Sequence, residues 1–173
     1  SEELIGKLDN VQALNDLVNL YLELEEIFKL GKMDATLFWR ALYKFRKKLV
    51  FEITPVEIEE FVGFCYDKAK LDPVRERLKD FFKKYLLLIA QTKLSPQDSL
   101  EKMRLSNPIY LPRNYLLQTA IEKLAQGDET YLTDLFNVLL DPYQEQEGAE
   151  IFSGMRPAWA ENKAGCSSLS CSS

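Results

Sequence analysis

The sequence predicts an all-α protein, a bundle of about seven antiparallel helices followed by a disordered Cys/Ser-rich C-terminal tail. Three times a helix-capping residue stands directly before a proline, at Thr54-Pro55, Asp72-Pro73 and Ser95-Pro96. Proline is favoured at the first helical position because the N–H that it lacks would have no partner there. Between these starts, apolar residues recur at intervals of three and four, which is the spacing of one helix face. These two patterns favour helices throughout and leave little room for a strand.

The first two helices are delimited by caps. The first is predicted over 11–30, with Asp9 or Asn10 as its N-cap and Gly31 as its stop. Asp34 then caps a second helix, because an aspartate before an apolar-periodic segment can accept hydrogen bonds from the free N–H groups of the first turn. The apolar face of this helix comprises Phe38, Ala41, Leu42, Phe45 and Leu49.

The next three helices begin at the three capping-residue–proline pairs. The third is predicted to bury Ile58, Phe61, Val62, Cys65 and Ala69. The apolar face of the fourth comprises Val74, Leu78, Phe81, Phe82, Tyr85 and Ile89. On its outer side, Asp80 and Lys84 are spaced for a favourable i,i+4 ion pair. The fifth helix is shorter and ends near Leu105.

Two helices are predicted in the C-terminal half. One follows Pro112 and runs to Gln126, where Gly127 provides the left-handed residue at which helices commonly end. Asp128 caps the last helix, and Pro142 closes it. The residues expected to face inward on this helix are Leu132, Leu135, Phe136 and Leu139. The predicted organisation is therefore a helical bundle domain over 1–142 and an irregular tail over 143–173, with a turn near Ile151.

The composition is that of one soluble globular domain. The 173 residues are 46% apolar and 28% charged, and no apolar run approaches the roughly 20 residues needed to cross a bilayer. A cytoplasmic location is expected, or an organellar one if a targeting segment lies upstream. The net charge of −5 argues against a nucleic-acid partner. One basic cluster exists and is interpreted as a solvated helix face: Arg40, Lys44, Lys47 and Lys48.

The missing residue types exclude several kinds of chemistry. The chain has no histidine, which excludes Ser-His-Asp and Cys-His catalysis and zinc sites that need imidazole. Its three cysteines have no C-x-x-C spacing and are too few for a zinc site made of cysteines alone. The sequence also lacks the glycine-rich loops that hold phosphates. We therefore expect no catalytic site, metal or cofactor in this chain.

Two segments resemble the selenoprotein O-like proteins. Residues 107–118 read NPIYLPRNYLLQ and are followed by Ala120-Ile121 and Gly127-Asp128, as in that family. Near the C-terminus, residues 156–160 read RPAWA, which is similar to the family's RPPDWA, and residues 170–173 are its terminal SCSS. A weaker match covers residues 34–42, DATLFWRAL. The one departure in the tail is that Ala158 replaces a Pro-Asp pair.

The resemblance implies the C-terminal region of a protein adenylyltransferase. The family has a kinase-like domain that transfers AMP from ATP, with Mg²⁺ or Mn²⁺, to Ser, Thr or Tyr hydroxyls of other proteins. That domain lies N-terminal to the region matched here, so no catalytic residue can be carried over to this chain. The implied partners are the kinase-like catalytic domain of the same polypeptide and the protein substrates of the parent enzyme.

Cysteine chemistry in the tail follows from the same resemblance. Cys171 occupies the position of the family's selenocysteine, three residues from the C-terminus, where cysteine is implicated in redox control. Cys166 is expected to act as a resolving thiol or as a bystander, and both cysteines lie in a polar tail with no core of its own. Trp159 is expected to hold the tail against a helix by burying its ring.

Arg113 and Asn114 have two interpretations. They could satisfy loop carbonyls at a helix entry, or they could contact the catalytic domain, since the planar fork of an arginine suits a carboxylate or carbonyl partner. Two other functions remain open. The chain could be a free-standing helical module that binds a protein partner, or a small thiol redox protein that uses Cys166 and Cys171.

Overall fold

A computed structural model of the chain describes residues 11–48, 52–91, 95–163 and 166. Within these residues the predicted all-α class is confirmed, since regular structure consists of helices and of an isolated bridge between Met33 and Cys65. Leu49, Asp9, Asn10 and Cys171 lie outside the described residues. The α-helices are α1 Val11–Gly31, α2 Ala35–Lys47, α3 Pro55–Val62, α4 Leu71–Ala90, α5 Pro96–Ser106, α6 Asn114–Ala125 and α7 Thr130–Leu140.

Contacts group the chain into two compact units, Ser1–Met103 and Arg104–Ser173. This grouping differs from the predicted division into a bundle over 1–142 and a tail over 143–173. The sequence places a boundary at Pro142 because helical periodicity ends there. In the structure, the aperiodic residues after Pro142 pack against α6 and α7 and form part of the second unit.

The core of the first unit is built around phenylalanine rings. Phe61 lies with its ring centroid 5.0 Å from that of Phe38 and 4.7 Å from that of Phe82. Five large residues of the predicted apolar faces are all buried: Phe38, Phe45, Phe61, Leu78 and Phe82. Helix α4 packs against α1 and α3, and the apolar face predicted for it supplies much of this core.

The connection between α1 and α2 is fixed by a buried aspartate. Asp34 caps α2 as predicted, accepting from the Leu37 N–H at 3.2 Å. Its other carboxylate oxygen accepts from the Tyr66 hydroxyl at 2.6 Å, and its own N–H donates to the Phe64 carbonyl at 2.9 Å. The cap therefore also ties the segment after α3 to the start of α2.

Helix α3 begins as predicted and ends earlier. Thr54 and Glu57 form a reciprocal capping box. Burial raises the pKa of Glu57, but hydrogen bonds from Lys48 and Thr54 outweigh it and hold that pKa below its ordinary value. The helix ends at Val62 and does not continue to Ala69, because the backbone beyond it turns to pair with Asp34 and Met33.

Helix α4 starts one residue before the predicted cap. Asp67 caps a 3₁₀ turn over Lys68–Lys70, and Asp72 lies inside the first turn of α4. The predicted Asp80–Lys84 pair is also wrong. Lys83 pairs with Asp80, while the Lys84 ammonium lies 2.7 Å from a carboxylate oxygen of Glu23 on α1. Glu23 lies on a different helix, so the sequence of α4 alone does not indicate it as the partner of Lys84.

The end of α1 leaves no room for a side chain. A Cβ on Gly31 would lie 2.9 Å from the Cys65 Sγ and 3.0 Å from the nearest side-chain atoms of Met33 and Val74. We expect Gly31→Ala to lower the free energy of unfolding by about 1–3 kcal/mol, the usual cost of overpacking a core. Chemical denaturation measures this. Gly154→Ala is the control, because no described atom lies within 4 Å of its added Cβ.

The second unit has its own core, formed by α6, α7 and the chain after them. Its buried members are Ile109, Tyr110, Tyr115, Leu116, Leu135, Val138, Ala149, Phe152, Ala160 and Cys166. The inward face predicted for α7 is partly wrong. Leu135 is buried as predicted, but Val138 takes the place of Phe136, which is 61% exposed, and Leu132 is also exposed. Among the described helices, none is long and apolar enough to cross a membrane.

Candidate functional site

The two segments that the sequence singles out, 107–118 and 156–160, both lie in the second unit. The chain enters α6 through an extended segment that is bonded to the end of α7. The N–H groups of Ile109 and Tyr110 both donate to the Pro142 carbonyl, at 2.6 and 3.3 Å. Pro142 therefore joins the first segment to the start of the aperiodic C-terminal part.

Arg113 is turned into the unit. Its side chain is 4% exposed, and its Nη1 donates to the Gly154 carbonyl at 2.6 Å. The Tyr115 hydroxyl donates to the same carbonyl at 3.1 Å, and the guanidinium lies 5.7 Å from the centre of the Tyr115 ring. Of the two interpretations of Arg113, the geometry matches the one in which it satisfies a loop carbonyl.

Asn114 differs from Arg113 in its surroundings. It is the first residue of α6 and is half-buried, so part of its side chain faces outward. A contact between Asn114 and a catalytic domain stays a prediction.

A second link runs through Tyr110 and Gln146. The Gln146 N–H donates to the Tyr110 hydroxyl at 3.1 Å. The side-chain amide of Gln146 donates to the carbonyls of Val138 and Asp141, both at 2.9 Å. Gln146 and Gly154 are the two residues that sequence reasoning missed. No residue pattern indicates either of them. Gly154 accepts hydrogen bonds through its backbone carbonyl, and Gln146 donates through a side-chain amide that could bond to many partners.

The C-terminal segment is held by small residues and an ion pair. Trp159 is 47% exposed, so its ring does not hold the segment by burial as predicted. Ala160, one residue later, is fully buried. Lys163 lies over the Trp159 ring, 4.9 Å from its centre, and forms an ion pair with Glu122 of α6. Hydrogen bonds from Lys163 and Gln118 lower the pKa of Glu122 below its ordinary value.

The described cysteines are both buried. Cys65 is buried as predicted and donates its S–H to the Gly31 carbonyl at 3.1 Å, and burial raises the pKa of its thiol. Cys166 is 2% exposed and belongs to the second core. The expectation that Cys166 lies in a tail without a core is wrong. Its side chain is buried in the core of the second unit, to which Ala160 and residues before it also contribute. Its predicted redox role, like that of Cys171, stays a prediction.

The chemistry available at this site is hydrogen bonding between side-chain donors and backbone carbonyls, which fixes the conformation of the chain. Arg113, Tyr115 and Gln146 all donate to backbone carbonyls of the same unit. Among the described residues, no group of three Asp, Glu or Cys side chains lies close enough together to hold a metal ion. The site therefore joins the segment 107–118 to Gln146 and Gly154, in the chain that leads to the segment 156–160.

Comparison with curated proteins gives similarity along nearly the whole chain. A protein named protein nucleotidyltransferase YdiU from Xanthomonas euvesicatoria is 34% identical over 168 residues, which are 97% of this chain and 31% of that protein. Proteins of the same name from Xylella fastidiosa and Flavobacterium johnsoniae are 34% and 32% identical over 168 and 169 residues. These matches cover 97% and 98% of this chain and 31% of each relative.

The chain thus spans about a third of the length of the curated relatives that it matches, and the match lies in their C-terminal region. No profile of a known protein family matches the chain.

Proposed function

The chain belongs to the selenoprotein O-like family, which includes the proteins named protein nucleotidyltransferase YdiU, and on that premise we propose that it is the C-terminal helical domain of a protein adenylyltransferase. The observation that carries the proposal is the match of 97% of the chain to the C-terminal 31% of those relatives. The parent enzyme transfers AMP to Ser, Thr or Tyr of protein substrates. In this reaction the substrate hydroxyl loses its proton, its oxygen bonds to the α-phosphorus of ATP, and pyrophosphate leaves.

The proposal assigns ATP and its Mg²⁺ or Mn²⁺ to the region N-terminal to this chain. Among the described residues, no group of three carboxylate or thiol side chains lies together that could hold a metal ion by itself. The sequence also has neither glycine-rich phosphate loop. In this proposal the chain supports the kinase-like catalytic domain, and its junction around Arg113 keeps the second unit rigid enough to do so.

This assignment predicts where activity resides. The product of the complete reading frame should transfer AMP from ATP labelled at the α-phosphate to protein hydroxyls when Mg²⁺ or Mn²⁺ is present. This chain alone should give no transfer and no measurable heat of binding in titration calorimetry with Mg-ATP. Micromolar affinity of the isolated chain for Mg-ATP would contradict the proposal.

We also propose that the tail regulates the enzyme through Cys171. A peroxide would oxidise the thiols of Cys171 and of a cysteine in the catalytic region, taking two electrons and two protons and forming one disulfide. Because Cys166 is fixed in the second core, Cys171 can reach only about five residues beyond it, roughly 18 Å. The partner cysteine must therefore lie close to the second unit.

Mild oxidation of the full-length protein tests this regulation. Peptide mass spectrometry should find Cys171 cross-linked and Cys65 and Cys166 as free thiols, because both described cysteines are buried. Transfer of AMP should fall on oxidation and recover on reduction, and Cys171→Ser should abolish both effects. If Cys171→Ser leaves the dependence on reductant unchanged, the tail has no redox role.

The alternative function is a free-standing helical module that binds a protein partner. Exposed apolar side chains on α6 and α7 favour some protein contact, since large exposed apolar patches mark interaction surfaces. A complete reading frame without a kinase-like domain would favour this alternative over the adenylyltransferase.

A further inference from the structure

Helix α6 has a second apolar face that the core of its unit does not use. Leu117, Ile121 and Leu124 are 38%, 60% and 47% exposed. Their spacing of four and three residues places them in one line along the helix, about 10 Å long. We call these three residues the α6 stripe.

The α6 stripe is distinct from the buried side of the same helix. Tyr115, Leu116 and Ala120 are buried in the second unit, and Glu122 carries the ion pair with Lys163. A surface helix normally shows polar residues opposite its buried face. On α6 the exposed side next to the buried face carries three aliphatic side chains instead, which raises the question of what covers them.

We infer that the α6 stripe is the surface on which this domain docks against the N-terminal region of the same polypeptide. This inference rests on the proposed function, and it names the contact through which the domain supports the catalytic region. It also moves that contact away from Arg113, which is buried within its own unit. Asn114 begins the same face, three residues before Leu117, so its predicted contact joins the stripe.

The occupant follows from the lengths of the proteins compared. The relatives extend well beyond the 31% of their length that this chain matches, and the match is C-terminal. A large region therefore precedes the equivalent of this chain in each relative. In the proposed parent enzyme, that region is covalently joined to the domain that carries the stripe.

The size of the stripe favours this occupant over a second copy of the chain. A stable interface between separate proteins buries about 800 Å² on each partner, far more than three partly exposed aliphatic side chains provide. Two parts of one polypeptide meet at an effective concentration that can reach the millimolar range, so a small apolar contact is sufficient. The net charge of −5 on each copy adds repulsion against self-association.

Cysteine labelling measures whether the stripe is covered. Ile121→Cys is introduced into this chain and into the full-length protein, and the rate of reaction with N-ethylmaleimide is read by peptide mass spectrometry. The peptide readout separates this site from the native cysteines. We expect labelling in the full-length protein to be at least tenfold slower than in the isolated chain. Leu117→Glu, added to the full-length variant, should restore fast labelling by placing a charge in the contact.

Glu147→Cys is the matched control, because Glu147 is an exposed polar position of the same unit outside α6 and α7. It should react at the same rate in both proteins. Equal rates at Ile121→Cys in the two proteins would overturn the inference, and so would equal protection at both sites. Protection in the isolated chain that increases with its concentration would overturn it in favour of a second copy.

Measuring AMP transfer beside labelling distinguishes a failure of the docking surface from a failure of the proposed function. A full-length protein that transfers AMP but leaves Ile121→Cys unprotected refutes the docking surface alone. A protein that protects Ile121→Cys but transfers no AMP refutes the proposed function alone.

Discussion

Replacing Phe82 by alanine is expected to lower the free energy of unfolding of the first unit by about 3–5 kcal/mol. The Phe82 side chain is fully buried, and its ring contacts those of Phe38, Phe45 and Phe61. Alanine would remove apolar surface from the core and leave a cavity that these neighbouring rings cannot fill without shifting. The whole stability of a domain is about 5–15 kcal/mol, so this loss is large.

Tryptophan fluorescence can follow this unit by itself. The chain has two tryptophans, and Trp39 packs against Phe28 and Phe38 of the first core while Trp159 lies in the second unit. In a Trp159→Phe background, the denaturant midpoint of the Trp39 signal reports the first unit. Leu87→Ala is the control, since this exposed side chain of α4 in the same unit should change stability by no more than about 0.5 kcal/mol. An unchanged denaturant midpoint of the Trp39 signal in Phe82→Ala would contradict the burial of Phe82 in the first core.

Replacing Arg113 by alanine is expected to destabilise the second unit by about 1.5–3 kcal/mol, the usual contribution of a hydrogen bond to a charged group. The variant loses the bond from the guanidinium to the Gly154 carbonyl and its contact with the Tyr115 ring. Tyr115→Phe removes only the hydroxyl that donates to the same carbonyl, so we expect a smaller loss of about 1 kcal/mol.

In a Trp39→Phe background, the Trp159 signal reports the second unit. Its midpoint should fall in Arg113→Ala and remain unchanged in Arg77→Ala, which removes an exposed arginine of α4 in the first unit. If the midpoint is unchanged in Arg113→Ala, the contact with Gly154 contributes no stability. The other interpretation, in which Arg113 contacts the catalytic domain, would then be favoured.

Local signals in the sequence were sufficient to predict the helices. Asp34 and Thr54 cap α2 and α3 through bonds to N–H groups three residues ahead. Gly127 ends α6 with a φ of 84°, and its N–H bonds back to the Leu124 carbonyl at 2.9 Å. Each of these devices involves atoms within a few residues of one another, so the sequence alone specifies it.

The side on which a helix is buried was predicted less well. In α7 the apolar residues cover more than one face, so Leu135 can turn inward together with either Phe136 or Val138. The choice depends on what packs against the helix, here Gln146, which bonds to the Val138 carbonyl, and Phe152, whose ring lies 5.2 Å from that of Tyr131. Those partners come from a segment without periodicity, which no pattern predicts.

The sequence by itself determined the helical class, most helix boundaries, the buried phenylalanines and the two segments that resemble one family. Tertiary structure alone decided that these segments contribute to one core, that Arg113 points inward to Gly154, and that Cys166 is buried. The physical reason is the range of the interactions. Caps and helix faces depend on neighbouring residues, whereas a buried arginine or thiol depends on a carbonyl or a core that residues far along the chain supply.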